Sequence, residues 1–91
     1  MKNWKVRYRF QSVKQNSTLL HDDFSCIMFN NQGDTDAVIN NNVIIRPGEA
    51  VSFNEDPDVR IDTDFSVKFL PGQSTTDPNV CITCSYYEQI N

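Results

Sequence analysis

The stretch Phe24–Phe53, FSCIMFNNQGDTDAVINNNVIIRPGEAVSF, decides the fold class of this chain. Short apolar runs alternate in it with turns rich in Asn, Gly and Asp, residues that accept positive φ or bond their own backbone. The turn Arg46–Glu49 is predicted to be of type II, because Pro presets φ at its second position and Gly supplies positive φ at its third. The runs predict a β-meander. Its strands are expected at Phe24–Phe29, Ala37–Ile39, Val43–Ile45 and Ala50–Phe53.

The N-terminal flank predicts a long strand over Asn3–Val13, because polar and apolar residues alternate in it without a break from Asn3 to Gln11. The apolar side is expected to face the core, and the other side carries a ridge of cations. The apolar side consists of Trp4, Val6, Tyr8 and Phe10, and the ridge of Lys5, Arg7 and Arg9.

Further strands are predicted at Phe65–Phe69 and Val80–Ile90, and Val59–Ile61 is a short candidate. The first and last strands are the longest, so they are expected to pair with each other or with a neighbouring subunit. No window shows helical periodicity over two turns. The chain is therefore predicted to form one domain, residues 1–91, an antiparallel β-sandwich of jelly-roll type with seven to eight strands and no significant helix.

Composition excludes several function classes. The net charge of −4 makes the chain a poor general binder of nucleic acid, because phosphate contacts need clustered cations. No apolar run approaches the roughly 18 residues of a membrane helix. The N-terminal charges are not followed by an apolar run, so no signal peptide is predicted. Three cysteines cannot pair completely and fit a reducing compartment.

No set of residues predicts catalysis, a metal site or a cofactor. Cys81 and Cys84 match C-x-x-C, but they lie inside a predicted strand, where positions three apart point to opposite faces. His21 is the only histidine, and no nucleophile is placed near it. The loop pairs Asp34/Asp36, Asp56/Asp58 and Asp62/Asp64 fit turn chemistry, with a loop calcium as the alternative.

The run FNNQGDTDAVINNNVIIRPGEAVSF, Phe29–Phe53, resembles small structural proteins of tailed bacteriophages. In both, a strand ends in an Asn/Gly turn, a short hairpin follows, and an apolar pair leads into Pro-Gly-Glu and a strand ending in Phe. The resemblance implies a compact β-sandwich that decorates a capsid or belongs to a collar, tail or fibre, usually as a symmetric homo-oligomer. It carries no catalytic residues.

The function predicted is that of a non-enzymatic virion component, made in the host cytoplasm, which binds itself and other virion proteins but neither nucleic acid nor membrane. A trimer is one assembly it could form. The alternative is a small carbohydrate-binding module that uses exposed aromatic residues and a loop calcium. The predicted interface consists of Lys5, Arg7, Arg9, Ile27, Phe29 and Tyr87.

Overall fold

The computed structural model describes residues 3–19, 24–70 and 77–90. All regular structure in these ranges is β-strand, as predicted. The strands are β1 (Asn3–Val13), β2 (Ser17–Leu19), β3 (Cys26–Asn31), β4 (Ala37–Ile39), β5 (Val43–Ile45), β6 (Ala50–Asn54), β7 (Phe65–Phe69) and β8 (Val80–Ile90).

The strands form two antiparallel four-stranded sheets in the orders β1-β8-β3-β6 and β2-β7-β4-β5. Four of the strand pairs are those that a single long hairpin with its tip at β4/β5 would form. They are β1/β8, β2/β7, β3/β6 and β4/β5. Rolling that hairpin adds the pairs β3/β8 and β4/β7 and separates the two sheets. This is the jelly-roll topology, so the predicted fold class is confirmed.

The predicted meander is wrong, because only β4 and β5 form a hairpin between successive strands of Phe24–Phe53. β3 pairs with β6 and β8, so the chain crosses from one sheet to the other after β3 and again after β5. Turn residues mark where the chain bends, but they do not show which strand it then joins. The candidate strand Val59–Ile61 is also wrong, since that segment is irregular.

The core lies between the sheets and is centred on Phe29, which is fully buried. Its ring contacts that of Phe65 at a centroid distance of 5.3 Å. Burying such aromatic side chains is the main favourable term for a domain of this size. The buried apolar set is Val13, Phe24, Ile27, Phe29, Ala37, Ile39, Ile45, Phe65, Val67, Val80 and Ile82.

Asn31 links the two sheets from inside the core. Its side-chain Nδ2 donates to the backbone oxygens of Thr35 at 2.7 Å and Ile45 at 2.9 Å. Its Oδ1 accepts from the backbone N–H of Gly33 at 3.1 Å. The side chain is fully buried, and each of its polar groups is bonded, which is the condition for a polar group in a core to stabilise it. Asn31 therefore fixes the crossing that leads out of β3.

Two tight turns carry backbone in the left-handed region. Asn40 and Asn41, at φ values of 53° and 58°, begin the connection between β4 and β5. Asn is one of the few residues besides Gly that tolerates this conformation. Gly48 has φ 86°, and the Glu49 N–H donates to the Arg46 oxygen at 2.9 Å, as the predicted type II turn requires.

The segment after β6, residues 55–64, does not pair as a strand. Hydrogen bonds from the Arg60 guanidinium hold it in place. Arg60 donates to the Ser25 hydroxyl at 3.0 Å and to the backbone oxygens of Pro57 and Tyr87 at 2.8 Å each. The Ser25 hydroxyl in turn donates to the Val59 oxygen at 2.6 Å. This network fastens the segment to β3 and β8, and we refer to residues 55–64 as the acidic loop.

Candidate functional site

β1 is the strand that the two-sheet core leaves uncovered. Tyr8 is 61% exposed and Phe10 75%, so the prediction that the apolar side of β1 faces the core is wrong. Val13 is the buried residue of this strand. The second sheet lies on the opposite side of the first and consists of strands of three to five residues. Alternation shows that a strand has two faces, but it does not show which of them a second sheet covers.

The apolar side of β1 lies on the outer face of the first sheet. Val6, Tyr8 and Phe10 are exposed there, and we call these three residues the apolar stripe. The rings of Tyr8 and Phe10 stack with centroids 6.3 Å apart and planes 22° apart. The register places Phe10 in line with Thr83 and Met28, and Met28 is also exposed. An apolar row thus begins at the sheet edge and continues inwards.

The other side of β1 carries the cationic stripe, Lys5, Arg7 and Arg9. Lys5 Nζ lies 3.3 Å from Glu88 Oε2, and Arg7 Nε donates to Glu88 Oε1 at 3.0 Å. The pKa of the Glu88 carboxyl is lowered, chiefly because Lys5 donates a hydrogen bond to its carboxylate, and partial burial opposes this shift. The Glu88 carboxylate is therefore shared by two of the three cations of the stripe, Lys5 and Arg7.

β1 also presents a free edge. It pairs along all of its eleven residues with β8, and no other strand of the described ranges lies beside it. Half of the backbone N–H and C=O groups of an edge strand point away from its partner and can pair with another chain. Beyond Ser85, β8 continues to Ile90 with β1 as its partner, so the ribbon projects past β3.

The predicted interface residues divide into two groups. Ile27 and Phe29 are in the core and have no surface to offer, so their assignment to an interface is corrected. The inward side of β3 is filled by this chain's own second sheet, and only the outward side keeps exposed residues such as Met28. The remaining four positions lie on the β1/β8 ribbon.

Tyr87 is half-buried on the outer face, next to Cys26. The pKa of the Tyr87 phenol is raised, first because Cys26 is a second acid beside it and two neighbouring negative charges repel. Partial burial and a hydrogen bond to Cys26 act in the same direction. The phenol thus stays neutral and contributes apolar area to the ribbon.

A cleft of about 380 Å³ opens between the sheets at the other side of the sandwich. Its floor is aromatic, and Phe53 is exposed at its rim. The lining contains one carboxylate, that of Glu55, and one hydroxyl, that of Thr63. A mechanism that uses a pair of acids as general acid and general base would need a second carboxylate, which this lining lacks. The full lining is Ile39, Asn40, Asn42, Val43, Phe53, Glu55, Ile61, Thr63 and Phe65.

The two cysteines of the C-x-x-C match lie on opposite faces of β8, as strand geometry predicts. Cys81 is on the outer face, where its thiol donates to Gln32 Oε1 at 3.2 Å, whereas Cys84 packs against the core from the inner face. Asp34 accepts from the backbone N–H of Asp77 and from the Thr35 hydroxyl, both at 3.1 Å. Across residues 3–19, 24–70 and 77–90 no three His, Cys, Asp or Glu side chains form a group that could hold a metal ion. The prediction for His21 lies outside the described residues.

Sequence reasoning missed two features. β2 was not among the predicted strands, and Asn31 falls in the Asn/Gly turn that was predicted to follow Phe24–Phe29. The sequence does contain a signal for the buried role of Asn31. Asn31 follows Ile27 and Phe29 at every second position, so it lies on the inward side of the strand, where a polar residue needs hydrogen-bond partners.

Comparison with known proteins gives no match to a family model, a curated protein or a solved structure. Within the described part of the chain, no helix is long and apolar enough to cross a membrane.

Proposed function

We propose that this chain is a non-enzymatic structural protein that acts by self-association, with β1 as its main contact strand. The observation that carries the proposal is the exposure of β1 on both faces and along one edge. Val6, Tyr8 and Phe10 are exposed side by side, and monomeric proteins rarely leave such apolar groups uncovered. A long edge strand with apolar residues also invites pairing with another chain.

The size of the domain supports the same proposal. A chain of 91 residues buries a smaller share of its surface than a larger protein does, so a partner that covers further apolar surface would add to its stability. Here the long β1/β8 ribbon extends beyond the short second sheet, and an isolated two-stranded ribbon is marginal in water. Contact with another copy would bury the ribbon that the core does not.

The setting we propose is the particle of a tailed bacteriophage, in its capsid decoration, collar, tail or fibre, with other virion proteins as further partners. Its supports are the resemblance over Phe29–Phe53 and the jelly-roll topology, which recurs among viral capsid proteins. The second support is an analogy at the level of the fold.

Light scattering on the purified chain, with and without calcium, tests this proposal. We expect a discrete oligomer whose mass does not depend on calcium, and a large drop in its mass for the Phe10→Ser variant. Phe10 is 75% exposed, so this substitution leaves the core intact. A wild-type chain that stays monomeric at all concentrations up to about 1 mM would contradict the proposal, because a specific contact is expected to be tighter than that.

A carbohydrate-binding module is the second candidate, and the stacked, exposed pair Tyr8 and Phe10 favours it. Aromatic faces in solvent are surfaces on which a sugar can pack. The residues that line up with this pair across the outer face are Ser85, Thr83, Cys26 and Met28, without a carboxylate to accept sugar hydroxyls. A glycan array distinguishes the two candidates, since binding by wild type that is lost in Phe10→Ser, in a strictly monomeric protein, would support the module.

A further inference from the structure

We infer that copies of this chain join head to tail, with β1 of one copy pairing antiparallel to β6 of the next, so that the first sheet continues from copy to copy. This inference rests on the proposed function and specifies the contact. β1 and β6 are the two edges of the first sheet. Both edges expose an aromatic residue, Phe10 at one and Phe53 at the other.

Charge disfavours symmetric pairing of β1 with β1 of another copy in the register that would align the apolar stripe with itself. A two-fold axis perpendicular to the sheet brings the same face of both strands together. The cationic stripes of the two copies would then face each other. In the register that places Tyr8 opposite Tyr8 of the other copy, Arg7 of each copy lies opposite Arg9 of the other. Like charges directly opposite each other destabilise a strand pair. A different strand, one with acids beside it, is therefore a more favourable partner for β1.

The strand directions of the first sheet permit such a repeat. β1 and β3 run one way, and β8 and β6 run the other, because every neighbouring pair is antiparallel. A copy placed beyond β6 in the same orientation brings its β1 next to β6. The new pair is again antiparallel, and the second sheets of both copies stay on the same side.

The register within the sheet gives the alignment of the two edges. Cys26 pairs with Asn54 on one side and with Ser85 on the other, and Ser85 pairs with Tyr8. These four residues form one row across the sheet. A straight continuation of this row places Asn54 opposite Tyr8 of the next copy. Ser52 then lies opposite Phe10 on the outer face.

On the inner side, this register brings opposite charges together. Glu55 continues the pairing of β6 alongside the β3 side of the sheet, since its N–H donates to the Ser25 oxygen at 2.9 Å. In the proposed register Glu55 therefore lies opposite Arg7 of the next copy. Phe53 comes opposite Arg9, where a guanidinium can stack on the exposed ring. The rest of the acidic loop, residues 56–64, holds four more acids and one arginine and follows beside the cationic stripe.

Side-chain size also matches on the outer face. The outward residues of β6 are small, and they leave room for the rings of Tyr8 and Phe10. Phe10 would cover Ser52 and reach the exposed Met28 behind it. The outward residues of β6 are Ala50, Ser52 and Asn54.

Because the two contacting surfaces differ, the assembly grows beyond a dimer. Each added copy is rotated relative to the last by the right-handed twist of the sheet. A head-to-tail contact of this kind generates a ring when the rotation closes and a helical array when it does not.

A charge exchange between the two edges tests the inference. Arg7→Glu and Glu55→Lys, made singly, should each weaken assembly about tenfold or more, because each puts like charges across the contact. The double variant carries the exchanged pair and should return to within about threefold of wild type. Lys68→Glu is the matched control, since Lys68 is exposed on β7 of the other sheet and carries the same charge change. Mass by analytical ultracentrifugation gives the readout, and circular dichroism verifies that each variant is folded.

Phe10→Ser is a second variant that leaves every charge in place, and it should also weaken assembly. The inference is overturned if wild type forms a closed two-copy particle, if either single charge variant assembles like wild type, or if the double variant does not recover. A wild-type chain that never assembles contradicts the proposed function itself. Assembly that persists through the single charge changes contradicts only the head-to-tail contact.

Discussion

Replacing Asn31 by Ala should be among the most damaging single changes outside the apolar core. The side chain is fully buried, and it makes three hydrogen bonds to backbone groups, two in the connection from β3 to β4 and one at the end of β5. Truncation leaves the oxygens of Thr35 and Ile45 without their donor, at a cost of about 1–3 kcal/mol for each buried group. The Gly33 N–H is partly exposed and adds less. The expected loss is about 3–5 kcal/mol, a large share of the roughly 5–15 kcal/mol that stabilise a typical domain.

Urea unfolding followed by circular dichroism, at a concentration below that of assembly, measures this loss. With a slope of about 1–3 kcal/mol per molar urea, the midpoint should fall by about 2 M. Asn30→Ala is the matched control, because Asn30 is the preceding residue of β3 and its side chain points to the outer face. It should change stability by less than about 0.5 kcal/mol. A loss below about 1 kcal/mol for Asn31→Ala would refute the reasoning, because buried backbone groups would then be finding other partners.

Three further predictions concern backbone turns and one charged residue. Gly48→Ala should lower the free energy of unfolding by about 1–2 kcal/mol through the positive φ alone, because a Cβ there meets nothing within 4 Å. Gly33→Ala should lower it by about 1–3 kcal/mol, because a Cβ there collides with the backbone of Asp77 and Asn79. Urea midpoints test both, and equal stability of either variant to wild type would contradict the turn assignment. Folding lowers the pKa of Glu88, so its ion pairs stabilise the folded state. This stabilisation is complete at pH values above the ordinary glutamate pKa of about 4.3, and it is lost as the pH falls through the lower pKa of the folded state. Glu88→Gln should therefore unfold with a weaker dependence on acid pH than wild type at low salt, and an unchanged acid profile would show that the ion pairs are not formed in solution.

The sequence predicted the class of the fold and the limits of most strands because alternation and turn chemistry are local properties. Asn3–Val13, Phe65–Phe69 and Val80–Ile90 were predicted with their observed bounds. Within the described residues the expected count of seven to eight strands also held, although β2 took the place of the candidate at Val59–Ile61. Hydrogen bonding decided these cases, since β2 has β7 as its partner whereas Arg60 holds the other segment.

The exposure of β1 could not be predicted from alternation, because it depends on the length and position of the other sheet. Trp4, Val6, Tyr8 and Phe10 form a pattern that would suit a core, and the chain places them on the outer face. The cationic stripe then lies on the inner side, past the reach of the short second sheet. Both sides of one strand thus became available for contact, and the prediction that Lys5, Arg7 and Arg9 belong to an interface stays a prediction.

Amide hydrogen exchange as a function of protein concentration tests most directly whether the β1 edge is covered by another copy. In dilute solution, the amides of β1 that point away from β8 should exchange as fast as those of an open edge. At concentrations that give assembly, these amides and those of the free edge of β6 should become protected together, whereas core amides such as that of Phe29 should not change. If assembly forms while both edges keep their fast exchange, β1 is not the contact strand and the account is contradicted.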